Sequence, residues 1–266
     1  MAETLNVIKV GGAVVEDEAS LGGLIERFAS LPGRKVLVHG GGRSATRLAA
    51  QLGIETTMVE GRRVTDEEML RVVTMVYGGL VNKQVVARLQ AAGVNALGLT
   101  GADMNVIRAH RRPVKVVRDA EGRQREVDYG FVGDIDGADG ACLAHLVGSG
   151  VTPVVAPLAH DGSGQMLNVN ADTIAATVAV ALAGHFDVTL TYCFEKPGVL
   201  ARADDEESVI RRITREDFPR LMAGGIISGG MIPKIENALS AIDRGVKRVV
   251  ITGAEDIAGC RGTVVE

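Results

Sequence analysis

Long basic runs are missing from this chain of 266 residues, and its formal net charge is −4. Tracking a nucleic-acid backbone takes a positive stripe that displaces counterions, so the composition argues against a polynucleotide ligand. No apolar run reaches membrane-spanning length, and the opening MAETLNVIKV lacks the charged-then-apolar pattern of a leader, so no membrane partner and a cytoplasmic setting are expected. Cysteine is scarce. Cys142, Cys193 and Cys260 stand far apart without metal or redox spacing, which suits buried thiols in a reducing compartment. The five histidines are equally scattered, which argues against structural zinc. A G-x-x-x-x-G-K-[ST] loop, protein-kinase signatures, internal repeats and low-complexity linkers are also missing.

What the chain has in excess is glycine: 34 of 266 residues, against a usual share of about 7%. Many fall in clusters at the ends of strand-like runs, as at Gly11-Gly12, Gly40 to Gly42, Gly78-Gly79, Gly224-Gly225 and Gly229-Gly230. With hydrophobic residues at 46% and charged ones at 23%, a well-packed core is expected. Strand-like runs at 5–10, 35–39, 95–99, 151–156, 187–192 and 247–252 alternate with helical patterns at 18–29, 44–52, 66–91, 139–147, 171–183 and 234–244. This rhythm predicts an α/β fold, a mostly parallel open sheet covered on both faces in three αβα layers. Residues 106–135 break the rhythm and read as an antiparallel flap with a polar turn at Glu121-Gly122. Thr65 and Glu68 read as a capping box opening the long helix. Gly78-Gly79 in its middle cost about 1 kcal/mol each, which points to close packing, across a subunit interface, or to a ligand contact. The whole chain, 1–266, reads as one domain with two lobes, 1–170 and 171–266.

Four corners carry unusual residues. In "VLVHGGGRSATRLAAQLGI" three glycines separate a strand from a helix, where bare N–H groups favour an anion. "GGGRSA" also fits the dinucleotide pattern G-x-G-x-x-A, with Glu60 as ribose acid, though it follows the second strand rather than the first. "IKVGGAVV" places Lys9 inside an apolar strand just before Gly11 and Gly12; burial there requires an anionic partner, and the plain alternative is a solvated edge lysine. "SGGMIPKIENAL" puts Lys234 in the first turn of a helix, the end that disfavours cations. In "MLNVNADTIAA", Asn168 and Asn170 alternate before Asp172, which is a catalytic acid or a simple helix-start acid.

Together "IKVGG", "LVHGGGRSATRLA", "EGRRVTDEEML", "GLVNKQVV", "LNVNADTIAA" and "GGMIPKIENAL" resemble, in order and spacing, the acylglutamate kinases of the amino acid kinase family, from about residue 5 to the C-terminus. The resemblance implies phosphoryl transfer from ATP to the γ-carboxylate of N-acetyl-L-glutamate, the second step of arginine synthesis, with N-succinyl-L-glutamate as the alternative substrate. It also implies that Lys9 and Lys234 flank the migrating phosphoryl group, with Asp172 positioning both. Gly11 and Gly12 would cradle that group, with Gly41 and Gly42 at the acceptor carboxylate. Arg63 would grip the α-carboxylate and Asn168 the acyl amide. Substrate is expected on the N-terminal lobe, which also forms a homodimer, and nucleotide on the C-terminal lobe. Magnesium would arrive with ATP, and no protein metal site is expected. An acyl group on the α-nitrogen keeps the γ-acyl phosphate from cyclising.

Two stretches depart from the family pattern. "LTYCFEKPGVL" has Tyr192 and Cys193 where an aspartate is usual, and the flap carries Arg108, Arg111, Arg112 and Lys115. Either these cations are solvated or one reads the extra carboxylate of a succinyl group. Arginine-inhibited relatives carry a helix before the first strand; here the strand begins at once, which implies a dimer without arginine feedback. A nucleotide-dependent dehydrogenase rests on the glycine pattern alone. A non-catalytic acylglutamate sensor would not need Lys9, Lys234 and Asp172.

Overall fold

In the computed structural model, which describes residues 3–118, 122–258 and 261–266, eight strands form the central sheet. They are β1 (Thr4–Val10), β2 (Arg34–His39), β3 (Ala96–Leu99), β4 (Thr152–Val155), β5 (Asp187–Phe194), β6 (Arg212–Ile213), β7 (Arg248–Gly253) and β8 (Thr263–Val265). Their order is β6-β8-β7-β5-β1-β2-β4-β3, and only β7 and β8 pair antiparallel. Parallel strands need crossovers, and the crossover helices cover both faces. Leu5 and Val7 of β1 pack in one core with Leu143, Ile174 and Ile235, whereas Ile8 and Val10 pack in a second core with Leu24, Phe28 and Val85. The expected three-layer α/β architecture is therefore present. Every strand-like run became a strand to within two residues; the short β6 and β8 gave too little pattern to read.

β1 lies between β2 and β5, so Lys9 is interior and the solvated-edge alternative fails. The expected helix over 66–91 has three parts: α-helix Glu67–Val73, π-helix Thr74–Val81 and α-helix Asn82–Ala91. The wide π turns contain both glycines. A Cβ on Gly78 would meet Thr100 and Leu158 of the same chain, at 3.4 and 3.5 Å, while one on Gly79 would meet nothing within 4 Å. The expected capping box does not form: the cap is Asp66, one residue later, and the residue three places on is Met69, which has no carboxylate to return the bond. Asp66 accepts from the Met69 N–H at 2.8 Å, and Thr65 is buried beneath the helix.

The flap is antiparallel as expected. Ile107–Arg111 pairs with Gly133–Ala138, and Lys115–Arg118 forms a hairpin with Gln124–Val127. Ile107–Arg111 also joins Leu158–His160 and Met166–Asn168, which ties the flap to the segment leading into helix Ala171–Ala183. Glu121 of the expected turn, and Cys260, lie outside the described residues.

Gly130 locks the flap to Thr65. Its φ is +69°, and a Cβ there would lie 2.3 Å from the Thr65 carbonyl oxygen. The left-handed backbone and the clash with main chain act together, so Gly130→Ala is expected to destabilise the fold by about 2 to 4 kcal/mol. Urea denaturation of the variant beside the parent checks this.

Candidate active site

Strand β1 delivers Lys9, helix Ala171–Ala183 delivers Asp172 and helix Ile232–Asp243 delivers Lys234 to one point. Lys9 Nζ lies 2.8 Å from Asp172 Oδ1, and Lys234 Nζ donates to Oδ2 at 2.8 Å. Burial raises the acid's pKa, but the two ammonium groups outweigh it and hold the carboxyl below the usual carboxylate range. Both cations also sit over the Phe194 ring, at 4.8 and 4.3 Å from its centroid. A ring face favours cations, which eases their mutual repulsion. The cluster carries one net positive charge in a largely dry site. It is suited to an incoming anion.

The position of Asp172 follows from local sequence. Asn170 caps its helix by accepting from the N–H groups of Asp172 and Thr173, at 2.7 and 3.4 Å. Tyr192, buried on β5, donates from its hydroxyl to the Asp172 carbonyl at 3.3 Å. Where the family pattern has an aspartate, this chain thus has a residue that braces the catalytic-looking acid.

The two glycine corners press against each other. Gly40 N–H donates to the Val10 carbonyl at 3.0 Å, and Gly11 N–H donates to Cys193 at 3.3 Å. A Cβ on Gly40 would lie 2.9 Å from the Gly12 nitrogen, and one on Gly41 would lie 2.9 Å from the Tyr77 ring. Bare backbone at these two positions is required by packing as well as by any ligand. Glu16 clamps the corners from behind: its carboxylate, only 7% exposed, accepts from the Ser44 N–H at 2.8 Å.

Two cavities meet at Gly42. The smaller, about 210 Å³, is lined by Gly41, Gly42, Arg62, Arg63, Asn168 and Asn170, among others. The larger, about 450 Å³, is lined by Gly11, Gly12, Gly42, Phe194 and Lys234, with Arg43 at its rim. Arg63 donates to the Gly42 carbonyl and the Thr46 hydroxyl, both at 2.9 Å, which fixes its guanidinium beside the smaller cavity. Asn168 donates from Nδ2 to Thr65 Oγ1 at 2.9 Å. All nine site residues expected from sequence thus line these cavities or, like Lys9 and Asp172, form the ion-pair cluster beside them.

A family model described as the amino acid kinase family matches residues 4–253. The acetylglutamate kinase of Bacteroides thetaiotaomicron is 61% identical over 266 residues, all of both chains. The chain belongs to the amino acid kinase family. Among solved structures, smu.665 from Streptococcus mutans matches with a TM-score of 0.77 and 28% identity, over 98% of each chain. N-acetylglutamate synthase from Neisseria gonorrhoeae, complexed with coenzyme A and N-acetyl-glutamate, matches with a TM-score of 0.78 and 25% identity, over 99% of this chain and 59% of that one.

In this amino acid kinase the flap cations do not line the smaller cavity. Arg111 pairs with Asp128 at 2.8 Å, Arg112 is buried against Asp134 and Tyr129, and Arg108 and Lys115 are exposed. The cavity's second arginine is Arg62, adjacent to Arg63 on the hairpin Met58–Val59/Arg62–Arg63. Glu60 stands exposed at the tip of that hairpin, remote from a ribose-binding role at a strand end. Sequence reasoning also missed Phe194, the last residue of β5, whose signal was an aromatic residue just past the expected strand 187–192 in a chain with five phenylalanines. Both oxygens of Asp172 are committed to lysines, and among the described residues no group of three His, Cys, Asp or Glu could hold a metal ion.

His39, the last residue of β2, is fully buried. Nδ1 lies 2.8 Å from the Gly40 carbonyl oxygen and donates to it, so Nε2 accepts from Asn82 Nδ2 at 3.1 Å. Burial pushes its pKa down from 6.5 to about 4. The unfolded chain therefore takes up this proton first. Stability is complete above pH 6.5 and falls as the pH drops toward 4, by about 3 kcal/mol in all from this group. Chemical denaturation across pH 6.5 to 5 is expected to show a shallower loss in His39→Gln than in the parent.

Proposed function

We propose that this chain transfers the γ-phosphoryl group of ATP to the γ-carboxylate of N-acetyl-L-glutamate, giving N-acetyl-L-glutamyl 5-phosphate in the second step of arginine biosynthesis. The observation that carries this reading is the pair of cavities joined at Gly42 beside two lysines on one carboxylate. The smaller cavity suits one amino-acid derivative and the larger one a polyphosphate tail. In phosphoryl transfer the protein supplies positioning and charge stabilisation rather than covalent chemistry. Lys9 and Lys234 neutralise charge on the equatorial and leaving oxygens, and Asp172 holds them apart at the required spacing. The backbone N–H groups of Gly12, Gly41 and Gly42 cradle the phosphoryl group and the attacking carboxylate, while Gly11, whose own N–H is held by the Cys193 carbonyl, contributes only the bare backbone that lets the phosphoryl group approach. Arg63 takes the α-carboxylate as a bidentate partner, and the side-chain oxygen of Asn168 accepts from the acyl amide N–H. Magnesium enters as part of the nucleotide substrate, bound by its phosphates.

Residues 171–266 carry the nucleotide and 1–170 the acceptor. We assign dimerisation to the second of these as well: Met75, Leu80 and Leu97 are exposed apolar residues beside the open face at Gly79 and the edge strand β3. A homodimer covers them. A cytoplasmic setting accords with the free thiols of Cys142 and Cys193, and no described helix is long and apolar enough to cross a membrane.

One observation favours N-succinyl-L-glutamate as the substrate instead. Arg62 is half-buried in the acceptor cavity and forms no ion pair with any described residue. Burial and then the nearby Arg112 push its pKa down, against the smaller opposing pull of Asp134, Tyr129 and Glu60. The distal carboxylate of a succinyl group supplies an ion-pair partner.

Coupled ADP-release assays with acetyl-, succinyl- and free glutamate test both readings. ADP release with an acylglutamate and none with free glutamate is expected, and silence with all three refutes the kinase. If succinylglutamate is preferred, Arg62→Ala removes that preference; a preference for acetylglutamate rules the second reading out. Lys9→Ala is expected to lower turnover by at least about 10²-fold, the usual cost of one preorganised donor. An unchanged rate excludes Lys9 from the mechanism.

A further inference from the structure

Arg43 and Glu195 form an ion pair, Nη2 to Oε1 at 2.9 Å, and both line the cavity that contains Lys234 and the Gly11-Gly12 corner. Arg43 is the second residue of helix Gly42–Gln51, on the acceptor side. Glu195 directly follows Phe194, the last residue of β5, whose ring lies beneath both lysines. The pair therefore bridges the two sides of the cleft at the place where a phosphate tail would lie. Its side chains are 68% and 64% exposed, so in water it contributes little to stability.

We propose that this pair is a partner-exchange device, an inference that rests on the kinase reading above. Before nucleotide binds, Glu195 occupies the guanidinium; when ATP arrives, Arg43 leaves Glu195 and takes the terminal phosphate. A phosphate presents more oxygens and more charge than a carboxylate, and guanidinium pairs with it in a fork that a lone carboxylate at one nitrogen does not provide. Arg43 sits next to Gly42, so the oxygens within its reach belong to the transferring group and not to the base or ribose. Glu195, once released, is already largely in solvent and is hydrated without any backbone movement. Its second effect is selective: an acid left beside the phosphates would repel them, and pairing hides it until a stronger anion competes.

A simple clasp between the two sides of the cleft predicts that loss of either partner acts in the same direction. Exchange predicts opposite directions. Calorimetric titration of the full chain with a non-hydrolysable ATP analogue plus Mg2+, and separately with AMP, decides between them. Arg43→Ala is expected to weaken the ATP analogue about tenfold, the worth of a charge-assisted hydrogen bond. AMP, which lacks the terminal phosphates, is expected to keep the parent affinity. Glu195→Gln is expected to tighten the ATP analogue about threefold, the scale of an exposed charge pair. The double variant should bind the ATP analogue more weakly than the parent but more tightly than Arg43→Ala, in which the unpaired Glu195 repels the phosphates. Unchanged affinity in Arg43→Ala, or weaker binding in Glu195→Gln, overturns the exchange while leaving the kinase intact. A parent chain that binds neither nucleotide overturns the kinase reading, and the exchange falls with it.

Discussion

One carboxylate shared by two ammonium groups sets the terms for the rest of this molecule. Asp172 and Lys9 are each buried, and removing such charges from water is unfavourable unless they are paired and hydrogen-bonded. The pairing needs three separate pieces of chain to meet, with each ammonium nitrogen 2.8 Å from one oxygen of the shared carboxylate. β1 must be central so that Lys9 is enclosed, and a helix must begin where Asp172 can face it. A second helix must bring Lys234 from the far side. Asn170 and Tyr192 hold the first helix from opposite ends of Asp172, one through its N–H and one through its carbonyl. The architecture is thus a means of bringing like charges together on a common acid.

The glycine corners show a second constraint acting in the same place. Packing of Gly40 on Gly12 and of Gly41 on Tyr77 leaves no room for side chains, independent of any ligand. His39 adds to this by donating to the Gly40 carbonyl while Asn82 holds its other nitrogen. The bare backbone that lines the two cavities is therefore also required by the packing of the fold. A substitution there disturbs cavity and packing alike, and loss of activity alone would not separate them.

Much of this was legible in the sequence because it rests on residue types that are costly where they stand. A lysine inside an apolar strand, an asparagine–aspartate pair at a helix start and a lysine in a first turn each demand a partner, and together they supply one another. Strand and helix periods were legible for the same reason, since both faces of the sheet are buried. What was not legible depends on neighbours remote in sequence. The π turns of Thr74–Val81 leave a period that reads as ordinary helix. Thr65 looked like a cap because Asp66 beside it was equally able to cap, and only the flap contact at Gly130 decides which is buried. Flap arginines looked free because their acids, Asp128 and Asp134, follow on the return strand and its approach. Arg62 went unremarked beside Arg63, whose role the motif already suggested.

The charge balance of the whole chain conceals the local one. An acidic protein of net charge −4 that works as a kinase has to accept anionic substrates. The cations around its two adjoining cavities have few acids of their own. Lys9 and Lys234 share a single carboxylate, Arg63 bonds neutral groups among the described residues, Arg62 has no ion pair among them, and Arg43 has an exposed one. Elsewhere arginines such as Arg111, Arg112 and Arg215 are matched closely with aspartates. The contrast separates cations matched one to one with acids from cations at the cavities that share an acid, have none or hold an exposed one. It does so without regard to their number, so a net charge that argues against a polynucleotide ligand does not weigh against a small anionic one.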